Sequence, residues 1–288
     1  RGRILGRLTF WTYFTMVPSV LITGALLDKS HETYRILYPL AGLCGLIGCY
    51  FYGLLHVPEA RALPTRGSGI RSSMDGVEQI IRSDRAYLFF QLAFFLSGSA
   101  FFMSTHVVLL LTSERFAFSA FELALWLSVT PQLLLALTSP IWGQVLDRVG
   151  IVRLRLLISL TMTAYLASYF LGIVGGWPLL IFLGSILQGV TNGGGQLTWA
   201  LASSHFAPRT EDVPLYNGIH FVLNGVRGLL MPWIGSVLLL VTGAGAVLAA
   251  TLVSLISVPI IWHSLRWGDG PTDRVMPIET PAPTTKVR

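Results

Sequence analysis

The chain has 288 residues, of which 53% are hydrophobic and 12% are charged, and its mean hydropathy is +0.65. A composition this apolar excludes a soluble globular domain and predicts an integral membrane protein. The formal net charge of +6 does not indicate nucleic-acid binding, because the basic residues are dispersed between apolar segments. The two cysteines, Cys44 and Cys49, lie in one apolar segment and suit neither a disulfide framework nor a metal site.

Eight apolar segments are each long enough to cross a bilayer, because about 20 helical residues span its hydrocarbon core. They predict an all-α integral membrane protein. Its eight transmembrane helices are predicted at about residues 6–27, 34–56, 86–111, 120–145, 154–174, 177–205, 215–241 and 245–263.

The basic residues are distributed unevenly between the two sides of the membrane that these spans define. Alternate loops place sixteen Lys and Arg residues, including Arg155, on one side and only Lys29, Arg35 and Arg115 on the other. Because basic loops remain in the cytoplasm, both ends of this chain are predicted to be cytoplasmic. We therefore expect a multi-pass protein of the plasma or inner membrane.

The longest connection, residues 57–84, lies between the second and third spans. It begins with prolines and a flexible RGSG sequence and continues with apolar residues at helical spacing: Ile70, Met74, Val77, Ile80 and Ile81. This pattern predicts a cytoplasmic linker that ends in a short amphipathic helix on the membrane surface. An ordinary disordered loop is the alternative. The tail, residues 266–288, is rich in Pro, Thr and charge and is predicted to be disordered.

The seventh span carries an arginine near the middle of the membrane. Arg227 lies roughly 18 Å along the helix from Leu215, at about 1.5 Å per residue. Asn217, His220, Asn224 and Arg227 fall within an arc of about 80° on a helical wheel. Because a charged residue at this depth is costly, the polar face predicts the wall of a cavity open to one side. The alternative is a polar seam that is hydrogen-bonded to neighbouring helices and binds no ligand.

The loop between the fourth and fifth spans carries two glycines and a charged pair at fixed spacing: Gly143, Asp147, Arg148 and Gly150. This loop resembles the cytoplasmic signature of the major facilitator superfamily of secondary transporters, G-x-x-x-D-[RK]-x-G-[RK]-[RK]. The match is partial, because Ile151 and Val152 stand at the last two positions and the basic residues follow at Arg153 and Arg155. The position of the loop between two spans is the one that the signature requires.

The resemblance implies two six-helix bundles joined by a long cytoplasmic loop. The chain then corresponds to the fifth to twelfth helices of such a protein, with four helices missing before it. Residues 1–56 would be the last two helices of the N-terminal bundle and 57–84 the linker with its amphipathic helix. Residues 85–265 would be a complete C-terminal six-helix bundle, and 266–288 a disordered cytoplasmic tail.

The resemblance also implies alternating access and a small-molecule substrate bound near the midplane between the bundles. Polar residues inside the spans are the candidates for the substrate pathway: Arg227, Asn224, His220, Asn217, Gln188, Asn192, Gln196, Gln91 and His106. Arg227 cannot shuttle protons, so we expect it to attract an anionic or carboxylate-bearing substrate, or to pair with a carboxylate of the missing bundle.

The signature loop would supply a gate on the cytoplasmic side. The resemblance and the pseudo-symmetry of the family place Asp147 beside the start of the first span, which carries Arg1 and Arg3. A carboxylate there can face the positive end of a helix, so Asp147 is expected to hold the gate closed. The alternative is a charged turn that serves only topology.

The sequence predicts no enzyme, no cofactor and no metal site. All fourteen acidic residues fall in loops or at the ends of spans, so no carboxylate is predicted inside the membrane. The expected partners are the small-molecule substrate and the lipid bilayer, and the sequence leaves open whether a proton or a sodium ion is coupled to transport. A membrane-embedded lipid-modifying enzyme and a non-transporting scaffold are the alternatives. The enzyme would need a cluster of His, Asp or Glu that the spans do not show.

Overall fold

The structure is a computed structural model that describes residues 2–54 and 70–267. The tail beyond Trp267 and the first part of the linker, including the RGSG sequence, lie outside the described residues. Within the described ranges the chain is helical, without strands, and forms nine helices: α1 Gly2–Lys29, α2 Tyr34–Gly53, α3 Ile70–Ser83, α4 Arg85–Phe116, α5 Ala120–Val149, α6 Ile151–Gly175, α7 Pro178–Phe206, α8 Val213–Thr242 and α9 Gly245–Ser264. The predicted all-α membrane fold is confirmed.

Eight long helices occupy the eight positions that hydropathy predicted. Among the residues that the structure describes, seven helices are long and apolar enough to cross a membrane, and α7 is not in that group. Helix α7 is nevertheless 29 residues long. Its glycines and its amide side chains, such as Gln188, Asn192 and Gln196, lower its mean hydropathy. The short helix α3 is present where the linker pattern predicts a helix.

Tight turns separate the long helices and keep neighbours antiparallel. Gly150 has φ 83° and alone joins α5 to α6, while Gly176 with φ 67° ends α6. Only glycine adopts such backbone angles without strain. At the start of α4, Asp84 caps the helix by accepting a hydrogen bond from the backbone N–H of Tyr87 at 2.9 Å.

Helices α4 to α9 pack together as one bundle. Helix α4 contacts α8 and α9, α6 contacts α7 and α9, and α5 contacts α7. The buried core includes Val107, Tyr165 and Leu166 in one cluster and Phe90 and Phe206 in another. Side chains from α4, α6 and α8 can therefore meet inside the bundle.

Helix α1 lies along α5, whereas α2 buries none of its described side chains. The contact between α1 and α5 depends on small residues, since a Cβ atom at Gly6 would lie 2.6 Å from the carbonyl oxygen of Ser139. Small residues of this kind let helix backbones approach closely in membranes. The assignment of α1 and α2 to a first bundle stays a prediction.

Helices α4 and α8 are joined along much of their length by hydrogen bonds. The hydroxyl of Tyr87 donates to the backbone oxygen of Tyr216 at 2.7 Å, and the hydroxyl of Tyr216 donates to the carboxylate of Asp84 at 2.8 Å. Further along, His106 Nε2 and Ser236 Oγ form a hydrogen bond of 3.0 Å. These bonds fix the register in which the polar face of α8 meets α4.

The packing of α7 against α5 predicts that substitutions of two glycines in α7 have very different effects on the stability of the protein. A Cβ at Gly189 would lie 2.6 Å from both Leu134 Cβ and the backbone oxygen of Pro131, whereas a Cβ at Gly195 meets nothing within 4 Å. We expect Gly189→Val to lower the free energy of unfolding by about 1–3 kcal/mol through overpacking. Gly195→Val is the matched control and should change it by about 0.5 kcal/mol or less. Thermal unfolding in detergent measures both, and equal losses would contradict the close packing of α5 and α7.

Candidate functional site

Arg227 is buried between α4 and α8, with only 5% of its surface exposed. Its Nη1 donates to the backbone oxygen of Phe94 at 2.8 Å, and its Nε and Nη2 donate to Asn224 Oδ1 at 3.1 and 2.7 Å. Asn224 lies one turn before Arg227 on α8, so the helical spacing that grouped these residues in the sequence also brings their side chains together. The guanidinium is held in place by neutral oxygen atoms.

Helix α4 leaves room for this guanidinium by having a glycine opposite it. A Cβ at Gly98 would overlap the guanidinium atoms of Arg227. The aromatic rings of Phe94 and Phe102 lie beside the same group, with their centres 4.7 and 5.7 Å from Arg227 Cζ. Aromatic rings at this distance attract a cation through their quadrupole. Gly98 and the two phenylalanines thus form a niche for a positive charge.

A second arginine, Arg155, belongs to the same cluster. The charge pattern assigned it to a cytoplasmic loop, but the structure places it in the second turn of α6 with 4% of its surface exposed. Its Nη2 donates to Ser97 Oγ on α4, and its Cζ lies 4.2 Å from the centre of the Phe94 ring. Its Nε is buried without a hydrogen-bond partner. The loop assignment was wrong because it counted a charge near the end of the predicted span as a loop residue, whereas α6 begins at Ile151 and contains Arg155.

Neither buried arginine has an ionic partner in the part of the chain that the structure describes. No Asp or Glu side chain is buried there, and the ion pairs found include neither Arg155 nor Arg227. Burying an ion costs several kcal/mol even after relaxation, and neutral hydrogen-bond acceptors return only part of that cost. Two buried charges without a counter-charge therefore make this cluster the candidate functional site.

Gln91 and His220 extend the cluster towards the start of α4. The Gln91 side-chain amide lies 3.2 Å from His220 Nδ1, and the His220 ring lies 4.9 Å from the Phe94 ring between centres. His220 Nε2 is buried and has no hydrogen-bond partner. Of the nine predicted pathway residues, the structure thus gathers Gln91, His220, Asn224 and Arg227 around Phe94.

The other five predicted residues lie elsewhere. His106 bonds Ser236 further along α4, and Asn217 is half-buried one turn before His220. Gln188 Oε1 accepts a hydrogen bond from the hydroxyl of Tyr169 at 2.6 Å. It lines a cavity of about 40 Å³, together with Ser104, Thr105, Val108, Leu127, Tyr165 and Tyr169. Asn192 and Gln196 are half-buried on α7 beyond Gln188.

Arg227 and His220 on the polar face of α8 are buried, whereas Asn217 and Asn224 are half-buried. Arg227 and His220 are packed against α4, and a cavity of about 350 Å³ has an almost wholly apolar lining from α3, α4 and α8. Gln91 reaches the edge of that cavity, but Arg227 and Asn224 do not contribute to it. The contacts of Arg227 and His220 with α4 are those of a hydrogen-bonded seam.

The signature loop places Asp147 beside the start of α1. Asp147 Oδ2 lies 4.0 Å from Arg3 Nε, while Arg1 is outside the described residues. Gly143 is buried in α5, Arg148 is exposed, and Gly150 forms the turn into α6. Because both members of the ion pair are partly exposed, its contribution is small, of the order of 1 kcal/mol or less.

The described residues contain no group of three or more His, Cys, Asp or Glu side chains that could hold a metal ion. Long apolar helices packed around a buried polar cluster define a multi-pass α-helical membrane protein. The sequence profile of the Major Facilitator Superfamily matches residues 92–286, which is more than half of the chain. The chain belongs to the Major Facilitator Superfamily, whose members are secondary transporters of small molecules. No curated protein matches the chain significantly.

Proposed function

We propose that this protein is a secondary transporter that moves a small anionic, carboxylate-bearing solute by alternating access. The observation that carries the proposal is the buried guanidinium of Arg227, which has only neutral acceptors around it. In this proposal the protein lies in the plasma or inner membrane, with both ends of the chain on the cytoplasmic side. Residues 85–265 form the second bundle, and α1 and α2 belong to the first.

An anion suits this environment for two physical reasons. Arg stays protonated in proteins and presents its donors in a planar fork that matches a carboxylate. A hydrogen bond between two ionised groups is also about twice as strong as one between neutral groups. A carboxylate that replaces Asn224 or the Phe94 carbonyl as the acceptor would supply the missing negative charge.

Access to the cluster requires α8 to separate from α4. The guanidinium is attached to α4 through a single backbone oxygen, that of Phe94, and through ring contacts with Phe94 and Phe102. A modest displacement of α8 would open this contact without breaking backbone hydrogen bonds inside either helix. Because α4 and α8 both belong to the second bundle, this opening is a rearrangement within that bundle, in addition to the rocking of one bundle against the other.

Uptake by the intact protein in membrane vesicles tests the proposed function. The panel contains organic anions, neutral sugars, zwitterionic amino acids and cationic drugs, each measured with and without the protein. We expect saturable uptake of at least one anion, and competition by other anions of similar size. Saturable uptake of a neutral or cationic solute that no anion inhibits would contradict the proposal.

The position of Asp147 beside Arg3 predicts a weak cytoplasmic latch. We expect Asp147→Asn to shift the population towards the cytoplasm-open state by up to about five-fold, because an exposed ion pair contributes about 1 kcal/mol or less. Distances between spin labels on α1 and α5 measure the populations. Glu114→Gln, which removes an exposed carboxylate at the far end of α4, is the control. Unchanged distance distributions in Asp147→Asn would eliminate the latch.

A further inference from the structure

The cluster around Phe94 contains two buried positive charges. The Cζ atoms of Arg155 and Arg227 lie 4.2 and 4.7 Å from the centre of the same ring, so the two guanidinium groups are less than a nanometre apart. They come from different helices, α6 and α8, and meet on the surface of α4. No carboxylate in the described ranges reaches either group.

We infer that the ligand of this cluster is a dianion, with one negative charge for each buried arginine. The inference rests on the proposed function and deepens it by naming the charge of the substrate. Dicarboxylates, sulfate and phosphate monoesters share this chemistry.

The charge balance favours a dianion over a monoanion. In an interior of low dielectric constant, two like charges repel each other, and each also loses its hydration. A monoanion compensates one guanidinium and leaves the other unpaired. A dianion compensates both, because it attracts each guanidinium group, and these two attractions offset the repulsion between the groups.

The hydrogen-bonding capacity of the cluster agrees with this charge count. Arg155 Nε and His220 Nε2 have no hydrogen-bond partner, and both atoms belong to side chains that are almost fully buried. Among the residues that the structure describes, the Arg155 guanidinium has one hydrogen bond, to the neutral hydroxyl of Ser97. The cluster therefore retains an unused donor at Arg155 on α6 and a ring nitrogen without a partner at His220 on α8.

The test compares dianions with monoanions of matched size on the purified intact protein. The probes are succinate against butyrate and sulfate against nitrate, at about pH 8, where each dianion carries two charges. Binding is measured by titration calorimetry and by the shift in melting temperature, which rises with ligand occupancy. The variants are Arg155→Gln, Arg155→Lys and Arg227→Gln. The matched control is Arg153→Gln, which removes an exposed arginine from the same turn of α6.

For the wild type and for Arg153→Gln, we expect at least one dianion to bind about ten-fold or more tightly than its monoanionic partner. Arg155→Gln should abolish this preference and still bind monoanions, and Arg155→Lys should keep much of it because the charge remains.

A purely structural role for Arg155 would lower the melting temperature of both variants without changing the preference. Equal binding of dianions and monoanions by the wild type, or an unchanged preference in Arg155→Gln, overturns the inference but leaves the proposed function standing. Failure of every anionic probe to bind overturns both.

Discussion

Replacing Arg227 by glutamine is expected to reduce anion uptake by the intact protein by about 30-fold or more. Truncating one partner of a buried charged pair typically costs 2–5 kcal/mol, and each 1.4 kcal/mol is a factor of ten in affinity. Glutamine is polar but two bonds shorter than arginine, so the change removes the charge together with the hydrogen bond from Nη1 to Phe94 O. Initial rates of uptake at a fixed, subsaturating concentration of the anion measure the effect.

Two further variants identify the cause of that loss. Arg153→Gln, on the exposed face of α6, should transport at the wild-type rate. Arg227→Lys keeps the charge but loses the planar fork that bonds Asn224 through two nitrogen atoms, so we expect an intermediate rate. Wild-type uptake in Arg227→Gln would mean that Arg227 is a structural residue of the α4 and α8 contact.

A side chain at position 98 is expected to destabilise the protein because it competes for space with Arg227. Gly98→Ala places a methyl group where the guanidinium lies, so the buried charge must move away from Phe94. Displacement of an enclosed group of this size costs about 1–3 kcal/mol by overpacking, and the loss of the cation–π contact adds about 0.5–2 kcal/mol. The free energy of unfolding in detergent measures the cost.

A double-mutant cycle tests whether Arg227 is the cause. In the Arg227→Ala background the space beside Gly98 is free, so adding Gly98→Ala should have little further effect. Gly225→Ala, on α8 where a Cβ meets nothing within 4 Å, is the control and should be close to neutral in both backgrounds. Additive losses from Gly98→Ala and Arg227→Ala would show that the two residues do not share this niche.

The long helices and the polar face of α8 could be predicted from sequence because both depend on local periodicity. Hydropathy finds spans whose length is set by the bilayer, and a helical wheel places Asn224 one turn from Arg227. Helix α7 shows the limit of hydropathy alone. Its glycines and amides keep it out of the group of helices that are apolar enough to cross a membrane, although it packs within the same bundle.

Arg155 was missed because a charge near the end of a span is ordinarily a loop residue. Helix α6 begins directly after Gly150, so Arg155 lies inside the helix on the face that also buries Ile151, Leu154 and Ile158. The apolar residues at helical spacing around Arg155 were a signal that could have placed it inside the bundle. Arg153, two positions earlier, points to the exposed side.

The partners of the polar residues depend on tertiary structure and could not be read from spacing. His106 bonds Ser236, and Gln91 bonds His220, across more than a hundred residues of sequence. A helical wheel shows which side chains share a face of one helix, but it does not show which neighbouring helix covers that face. The choice between an open cavity wall and a packed seam therefore required the structure.

Modification of arginines by phenylglyoxal, followed by mass spectrometry of the intact protein in vesicles, tests the central claim most directly. Arg153 is exposed and should react fast, with or without a transported anion. Arg227 should react slowly, because the cluster must open first, and the anion should slow its modification further by occupying the site. If Arg227 never reacts while the protein transports, or reacts at a rate that no anion changes, the buried guanidinium does not bind the substrate.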